Sequence, residues 1–300
     1  MWIILAFCSA ALLGLYDVSK KRSVHGNAVL PVLTLNTLFS SLIFLPLILL
    51  SAGGILPEKS MIYVESVGYE THLLVFLKSL IVLSSWILGY FAIKHLPLTI
   101  VGPINATRPV LVLVGAMLIF GERLNTFQWI GVILAIVSFF MLSRSGKKEG
   151  IDFKSNRWIY FLIASALIGA TSGLYDKYLM SERHLSPMVV QSWFTIYQFA
   201  EMTLILIVLW WPKRRQTTPF TWRWSILLIS LFLTAADFAY FYALSQEGAM
   251  ISVVSMIRRG SVVVSFTCGA LLFREKNLRN KLADMLLVLL GLIFLFIGSR

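Results

Sequence analysis

The 300-residue chain is 58% hydrophobic and only 13% charged, yet its net charge is +12, from 26 Lys+Arg over 14 Asp+Glu. Soluble proteins run roughly 45–50% apolar and about 25% charged, which excludes a two-domain soluble protein, while 19 Gly, 9 Pro and 2 Cys exclude collagen, disorder and a disulfide scaffold. An integral membrane protein remains, with no soluble basic domain left to bind nucleic acid.

Stretches of roughly 17–25 apolar residues are long enough to cross about 30 Å of hydrocarbon. They occur ten times in chain order, at 2–19, 29–50, 72–93, 97–120, 125–143, 158–176, 187–211, 224–245, 249–273 and 282–299. The first has no Lys or Arg ahead of it and a bulky Phe7 before Cys8, so it reads as a retained helix rather than a cleaved signal. The connectors are short and polar, apart from 51–71, where Gly53-Gly54 and Pro57 predict a loop. Cys8 and Cys268 fall inside spans and read as packed thiols. The expected fold is all-α, ten transmembrane helices with no separate soluble domain.

Seventeen basic residues lie on the loops after spans 1, 3, 5, 7 and 9, and five on the other side. The positive-inside rule puts the seventeen in the cytoplasm and both termini outside. The remaining four, Lys78, Arg108, Arg258 and Arg259, lie within spans.

The chain repeats itself. Gly14-Leu15-Tyr16-Asp17 ends span 1, and Gly173-Leu174-Tyr175-Asp176 ends span 6. Pro31 near the start of span 2 answers Pro187 at the start of span 7. Phe120-Gly121-Glu122-Arg123-Leu124 after span 4 answers Phe273-Arg274-Glu275-Lys276-Asn277 after span 9. The offsets run from 153 to 159 residues. Each half, 1–146 and 147–300, has five spans, so the second enters the membrane inverted. Many secondary transporters use this plan to place one site at the midplane.

Two five-helix halves with a Gly-Glu turn before the last helix, here Gly121-Glu122-Arg123-Leu124 followed by Gln128-Trp129-Ile130-Gly131, resemble the EamA-type drug/metabolite transporter superfamily. The second copy departs from it, with Arg274 in place of the Gly. The resemblance implies a ten-helix bundle around a central cavity, moving small metabolites, with cytoplasmic termini; on this last point the charge count says the reverse.

Each ionisable residue at the bilayer centre costs about 2.5–3.5 kcal/mol on insertion scales. Arg108 lies roughly 16 Å into span 4 and Arg258 roughly 14 Å into span 9; Asp237 and Glu201 are about 20 and 21 Å into spans 8 and 7. In the repeat alignment Thr99 answers Ser252, Asn105 answers Arg258, and Arg108 answers Ser261. Asn105 and Arg108 share a helix face, as do Ser255, Arg258, Ser261 and Ser265. Two polar faces, each with an Arg, therefore confront one another across a cavity, a pairing suited to a carboxylate or phosphate. Pro103 and Pro109 are placed to break span 4 there.

Arg259 points about 100° away from Arg258 on a helix and is expected to pair with a carboxylate. The adjacent Arg258-Arg259 pair also resembles the phosphate-gripping pair of triose-phosphate translocators. Asp237, on a face with Tyr240 and Phe241, is a candidate for proton coupling. Glu201, on a stripe with Gln191, Phe194 and Gln198, and Lys78 are read as coupling or ion-pair residues, or as a helix contact and a snorkelling side chain respectively. Asp17 and Asp176, at opposite membrane faces, are read as gate residues or interfacial charges. Trp86, Tyr90 and Tyr240 are read as a substrate wall or as packing.

The leading expectation is a secondary transporter of a small anionic or zwitterionic metabolite, with protons as a candidate coupling ion, in a bacterial inner membrane, as monomer or homodimer. A lipid flippase or a non-transporting membrane partner is the alternative. A membrane enzyme is disfavoured: no nucleotide, metal or nucleophile–base motif appears, no cofactor is expected, and His25, His72, His95 and His184 lie at or outside span ends.

Overall fold

The computed structural model describes residues 2–120, 123–147, 150–244, 254, 257–273, 275 and 278–298. Ser252, Ser255 and the Gly121-Glu122 turn lie outside the described residues. The described helices are α1 (Trp2–Val24), α2 (Val29–Ala52), α3 (Tyr69–His95), α4 (Leu98–Ala106), α5 (Arg108–Phe120), α6 (Thr126–Lys147), α7 (Arg157–Lys177), α8 (Pro187–Ile205), α9 (Trp224–Leu244), α10 (Ser261–Leu272) and α11 (Leu278–Gly298). Helix is the form such apolar segments must take, because lipid offers no partner to an exposed backbone N–H or C=O. Seven of the helices are long and apolar enough to span a membrane alone; α4 with α5, and α9, supply shorter apolar stretches at Leu98–Val112 and Trp224–Tyr240. The protein is a multi-pass, all-helical membrane protein.

Span 4 is broken at Thr107, between α4 and α5. Pro109 has no N–H to return to the Asn105 carbonyl, and Thr107 turns its hydroxyl onto Ile104 O at 2.7 Å. Span 9 has a matching break. The Gly260 N–H bonds back to Ile257 O at 2.9 Å, and α10 restarts at Ser261. The two breaks lie 153 residues apart, equivalent positions of the repeat.

Packing carries the same symmetry. Helix α1 packs on α9 as α7 packs on α3; α1 meets α10 as α7 meets α5; α2 meets α9 as α8 meets α3. Two further large contacts, α2 with α8 and α6 with α11, join equivalent helices of the two halves. Exchanging the halves therefore reproduces these main packings of the bundle, two inverted five-helix repeats around a central cavity. Small residues permit the closest crossings. A Cβ on Gly14 would collide with Val264 and stand 3.0 Å from Ser261 O. On the α6–α11 crossing, a Cβ on Gly131 would be 2.8 Å from Gly291 O, and one on Gly291 would be 3.1 Å from Gly131 O.

One expectation about the loop charges needs correction. Lys21 and Lys281, counted among the solvated basic residues, are 7% and 0% exposed. Lys21 donates to Ile93 O at 2.7 Å and Leu96 O at 2.5 Å, closing the last turn of α3. Lys281 donates to Thr99 Oγ1 at 2.9 Å. Beside it, Glu275 accepts from Leu98 N at 2.7 Å and Thr99 N at 2.9 Å, capping the free N–H groups of α4. These charges hold helix ends where the carbonyls or amides have no partner within the helix, a role that a charge count along loops does not register.

Candidate functional site: two chambers divided by Trp86 and Leu233

Both helix breaks open onto one cavity of about 240 Å³. Its charged lining is Asp17, Lys20, Arg108 and Arg259, with Asn105, Ser261 and Ser265 among the polar groups and Tyr16, Trp86 and Tyr90 among the rings. Arg108 is the first residue of α5 and Ser261 the first of α10, so two helix N-termini, each a partial positive charge, face the same space.

Arg108 is placed by α7. Its Nη2 donates to Ser165 Oγ at 3.3 Å. The guanidinium lies over Gly169, where a Cβ would come within 2.9 Å of Cζ. Ser165 is itself fixed by a reciprocal pair, Ser165 Oγ to Ser85 O and Ser85 Oγ to Ser165 O, both 2.8 Å, which ties α7 to α3 at the cavity wall. The Arg108 Nε and the Asn105 Oδ1 are buried without partners. Arg259 belongs to the cavity lining and keeps an exposed side chain there. No carboxylate pairs with Arg108 or Arg259 among the described residues.

Asp17 makes its ion pair with Lys20, at 2.9 Å on the same helix, and not with either arginine. The Lys20 ammonium also stands 4.1 Å from the Tyr16 ring centroid and 5.5 Å from that of Tyr90, within cation–π reach. The span lengths put Lys20 on a loop; it reaches the cavity because α1 continues five residues past the expected span end at 19, to Val24. Its three-residue spacing from Asp17 is the signal that could have found it. Ser85 and Ser165 carry none.

A second cavity of about 210 Å³ lies against the same wall, and Trp86 and Leu233 line both. On α3 the first cavity takes Tyr90 and Ile93, towards the end that carries Lys94; the second takes Lys78 and Val82, towards the other end. The two chambers therefore occupy the basic-loop half and the opposite half of the membrane. In the second, Lys78 pairs with Asp176, joining α3 to α7. Asp237 pairs with Arg258 and accepts from Gln191 Nε2 at 3.0 Å. The Arg258 guanidinium lies 4.5 Å from the Tyr240 ring centroid.

Span 9 thus reverses one expectation. Arg258, expected beside Arg108, is engaged with Asp237 and Tyr240; Arg259, expected to find a carboxylate, faces the cavity. The physical reason is the turn at Gly260. The stripe through Arg258, Ser261 and Ser265 assumes one continuous helix, and the break rotates the arginine pair relative to α10. Tyr90 also separates from Asp237 and Tyr240, since they belong to different halves; Trp86 alone of the expected wall touches both chambers. Glu201 meets no arginine and lies against Ser79 Oγ, while Lys78 is paired rather than snorkelling.

No curated protein matches this chain. A crystal structure described only as that of a protein aligns over 99% of this chain and 97% of its own, with a TM-score of 0.64 at 12% identity, a likeness of fold alone. The EamA-like transporter family matches twice, over residues 1–144 and 156–297, one match for each five-helix half. With nearly its whole length matched and a polar cavity at the meeting point of its two halves, the chain belongs to the EamA-like transporter family, whose members carry solutes across membranes and are not enzymes.

Proposed function

We propose that the protein is a secondary transporter of a small organic anion, working by alternating access in a bacterial cytoplasmic membrane, with Arg108 and Arg259 as the anion-binding pair. The observation that carries this reading is charge compensation. Of the four charged groups lining the first chamber, Asp17 and Lys20 pair with each other, which leaves two guanidinium groups facing a small interior space without a paired carboxylate among the described residues. A bound carboxylate or phosphate supplies a counter-charge, and guanidinium binds either in bidentate fashion. The N-termini of α5 and α10 add to the same positive potential. Asn105 and Ser261 offer further polar contacts to the solute, Trp86 and Tyr90 its apolar wall, and Asp17 and Asp176 stand at the two chambers as gate residues. A cavity of about 240 Å³ lies just below the range of roughly 300–1,000 Å³ usual for drug-sized ligands, which favours a solute of metabolite size.

The test is a thermal-shift series on purified protein with 3-phosphoglycerate, citrate and glycerol. A solute that binds only the folded state raises the melting temperature with its concentration. The expected result is a rise with at least one anion, none with glycerol, and loss of the rise in Arg108→Gln and Arg259→Gln. A rise with glycerol alone, or one untouched by both substitutions, overturns the reading.

A further inference from the structure

Beyond the first turns of α1 to α11, five carboxylates lie within the helices, and they differ in what neutralises them. Asp17, Asp176 and Asp237 each pair with a cation. Asp284, near the start of α11, shares a small pocket with Arg144 without an ion pair among the described residues, and its Oδ2 is buried without a partner. Glu201, about 21 Å along α8, has no Lys or Arg within ion-pair distance among the described residues. The elements packed around it supply none. Helix α2 contains no ionisable residue at all. On α3 the nearest cation is Lys78, committed to Asp176, and His72 is bonded at 2.7 Å to Tyr197 of α8 itself.

The hydrogen bonds at Glu201 suit a protonated carboxyl. Ser79 Oγ lies 2.7 Å from Phe76 O and also against Glu201 Oε1. A serine hydroxyl has one proton to give, and a backbone carbonyl can only accept. Ser79 thus has one proton for two acceptors, Phe76 O and Glu201 Oε1; a protonated carboxyl at Glu201 supplies the second hydrogen and satisfies both contacts. The other oxygen, Oε2, is buried with no partner. An ionised carboxylate in this place would carry a buried charge with one oxygen bare, a costly state; a carboxylic acid donating to Ser79 satisfies the same geometry at far lower cost.

We propose that Glu201 is a proton-binding site, protonated in this conformation and discharged when α3 and α8 move apart during transport. The step is a simple transfer. With Ser79 withdrawn and water admitted, the carboxyl gives its proton to water and becomes a carboxylate; reloading takes a proton from hydronium. Buried polar side chains on α2 and α8 are the candidates for a route. Asn36, with both amide atoms unpartnered, Ser40 Oγ and Gln198 Nε2 are all buried, and Ser40 also lines the second chamber. Asn36 lies one turn from Ser40, and Gln198 one turn from Glu201. Buried groups of this kind are ordinarily completed by internal water.

The inference deepens the transport reading and rests on it for its role, but its test needs no solute. Infrared difference spectra between wild type and Glu201→Gln near neutral pH isolate the C=O stretch of one protonated carboxyl. The expected result is loss of that band in Glu201→Gln, a moved band in Glu201→Asp, and a shift to higher frequency in Ser79→Ala, where the hydrogen-bond acceptor is gone. If the difference spectrum shows the loss of a carboxylate instead, or no loss of a protonated carboxyl, Glu201 is ionised here and the proposal fails. Either result leaves the Arg108–Arg259 reading standing, and failure of that reading leaves this measurement intact.

Discussion

The two chambers share a wall at Trp86 and Leu233 and use their charges in opposite ways. On the basic-loop side the ion pair, Asp17 with Lys20, is contained within α1 and reaches α3 through the Tyr90 ring and not through a second charge, while Arg108 and Arg259 stay free of carboxylates among the described residues. On the other side Lys78–Asp176 fastens α3 to α7, and Arg258 is held to Asp237 of α9, which Gln191 joins to α8. One chamber presents charge to a visitor, and the other uses its charge for cohesion. On the proposed transport reading, a contrast of this kind belongs to an inverted-repeat transporter resting in one of its two conformations. In that proposal the latched chamber is the closed one and the uncompensated chamber the one prepared for solute.

The largest effect should come from the latch. Removing one partner of a buried pair strands the other charge. Arg258→Gln and Asp237→Asn should each cost about 3 kcal/mol, the low end for such pairs because both side chains keep some solvent contact, at 21% and 17% exposure. Melting temperatures of the singles and the double variant form a double-mutant cycle, in which the double should recover most of the loss. Simple addition of the two losses would show that no latch exists.

Next in size is the opposite kind of change, in the free chamber. Arg108→Gln and Arg259→Gln should each weaken anion binding by about 1.5–3 kcal/mol, the worth of a hydrogen bond to a charged group, with little loss of stability because neither charge has a paired carboxylate to strand among the described residues. Titration of the bound anion checks the first part and a melting curve the second. If these variants unfold while Arg258→Gln folds normally, the two chambers have been assigned the wrong way round.

Two smaller effects sharpen the comparison. Gly169→Ala keeps every charge but pushes on the Arg108 guanidinium at 2.9 Å; displacement of that kind should cost about 1 kcal/mol, roughly fivefold in anion affinity. An unchanged affinity would show that Arg108 has room to adapt. Trp86→Ala removes a ring that faces both chambers. It should widen the range of anions accepted, read as binding of larger homologues of the preferred one, and should change affinity for that one least of all.

Much of the fold is legible in the sequence. Span length, the Gly-Leu-Tyr-Asp pair and the offsets of 153 to 159 residues carry the ten-span repeat, since lipid leaves apolar segments no choice but helix. The two prolines of span 4 announce the break at Thr107. The exchange of Arg258 and Arg259 is not legible: adjacent residues differ only in helical phase, and one turn at Gly260 resets that phase. Nor is the contrast between the chambers, since whether a guanidinium is free depends on which carboxylates other helices bring near it. Asp237 and Glu201 look alike as sequence, one acid in each apolar span; three-dimensional neighbours give the first an arginine and the second a serine.

The most direct measurement is calorimetric titration of Arg259→Gln and Arg258→Gln, side by side with wild type, using the anion that gives the largest thermal shift. Arg259→Gln should lose at least about tenfold in affinity, while Arg258→Gln, where it remains folded, should bind nearly as wild type. Loss of binding in Arg258→Gln with Arg259→Gln unaffected would contradict the assignment of the free chamber as the anion site.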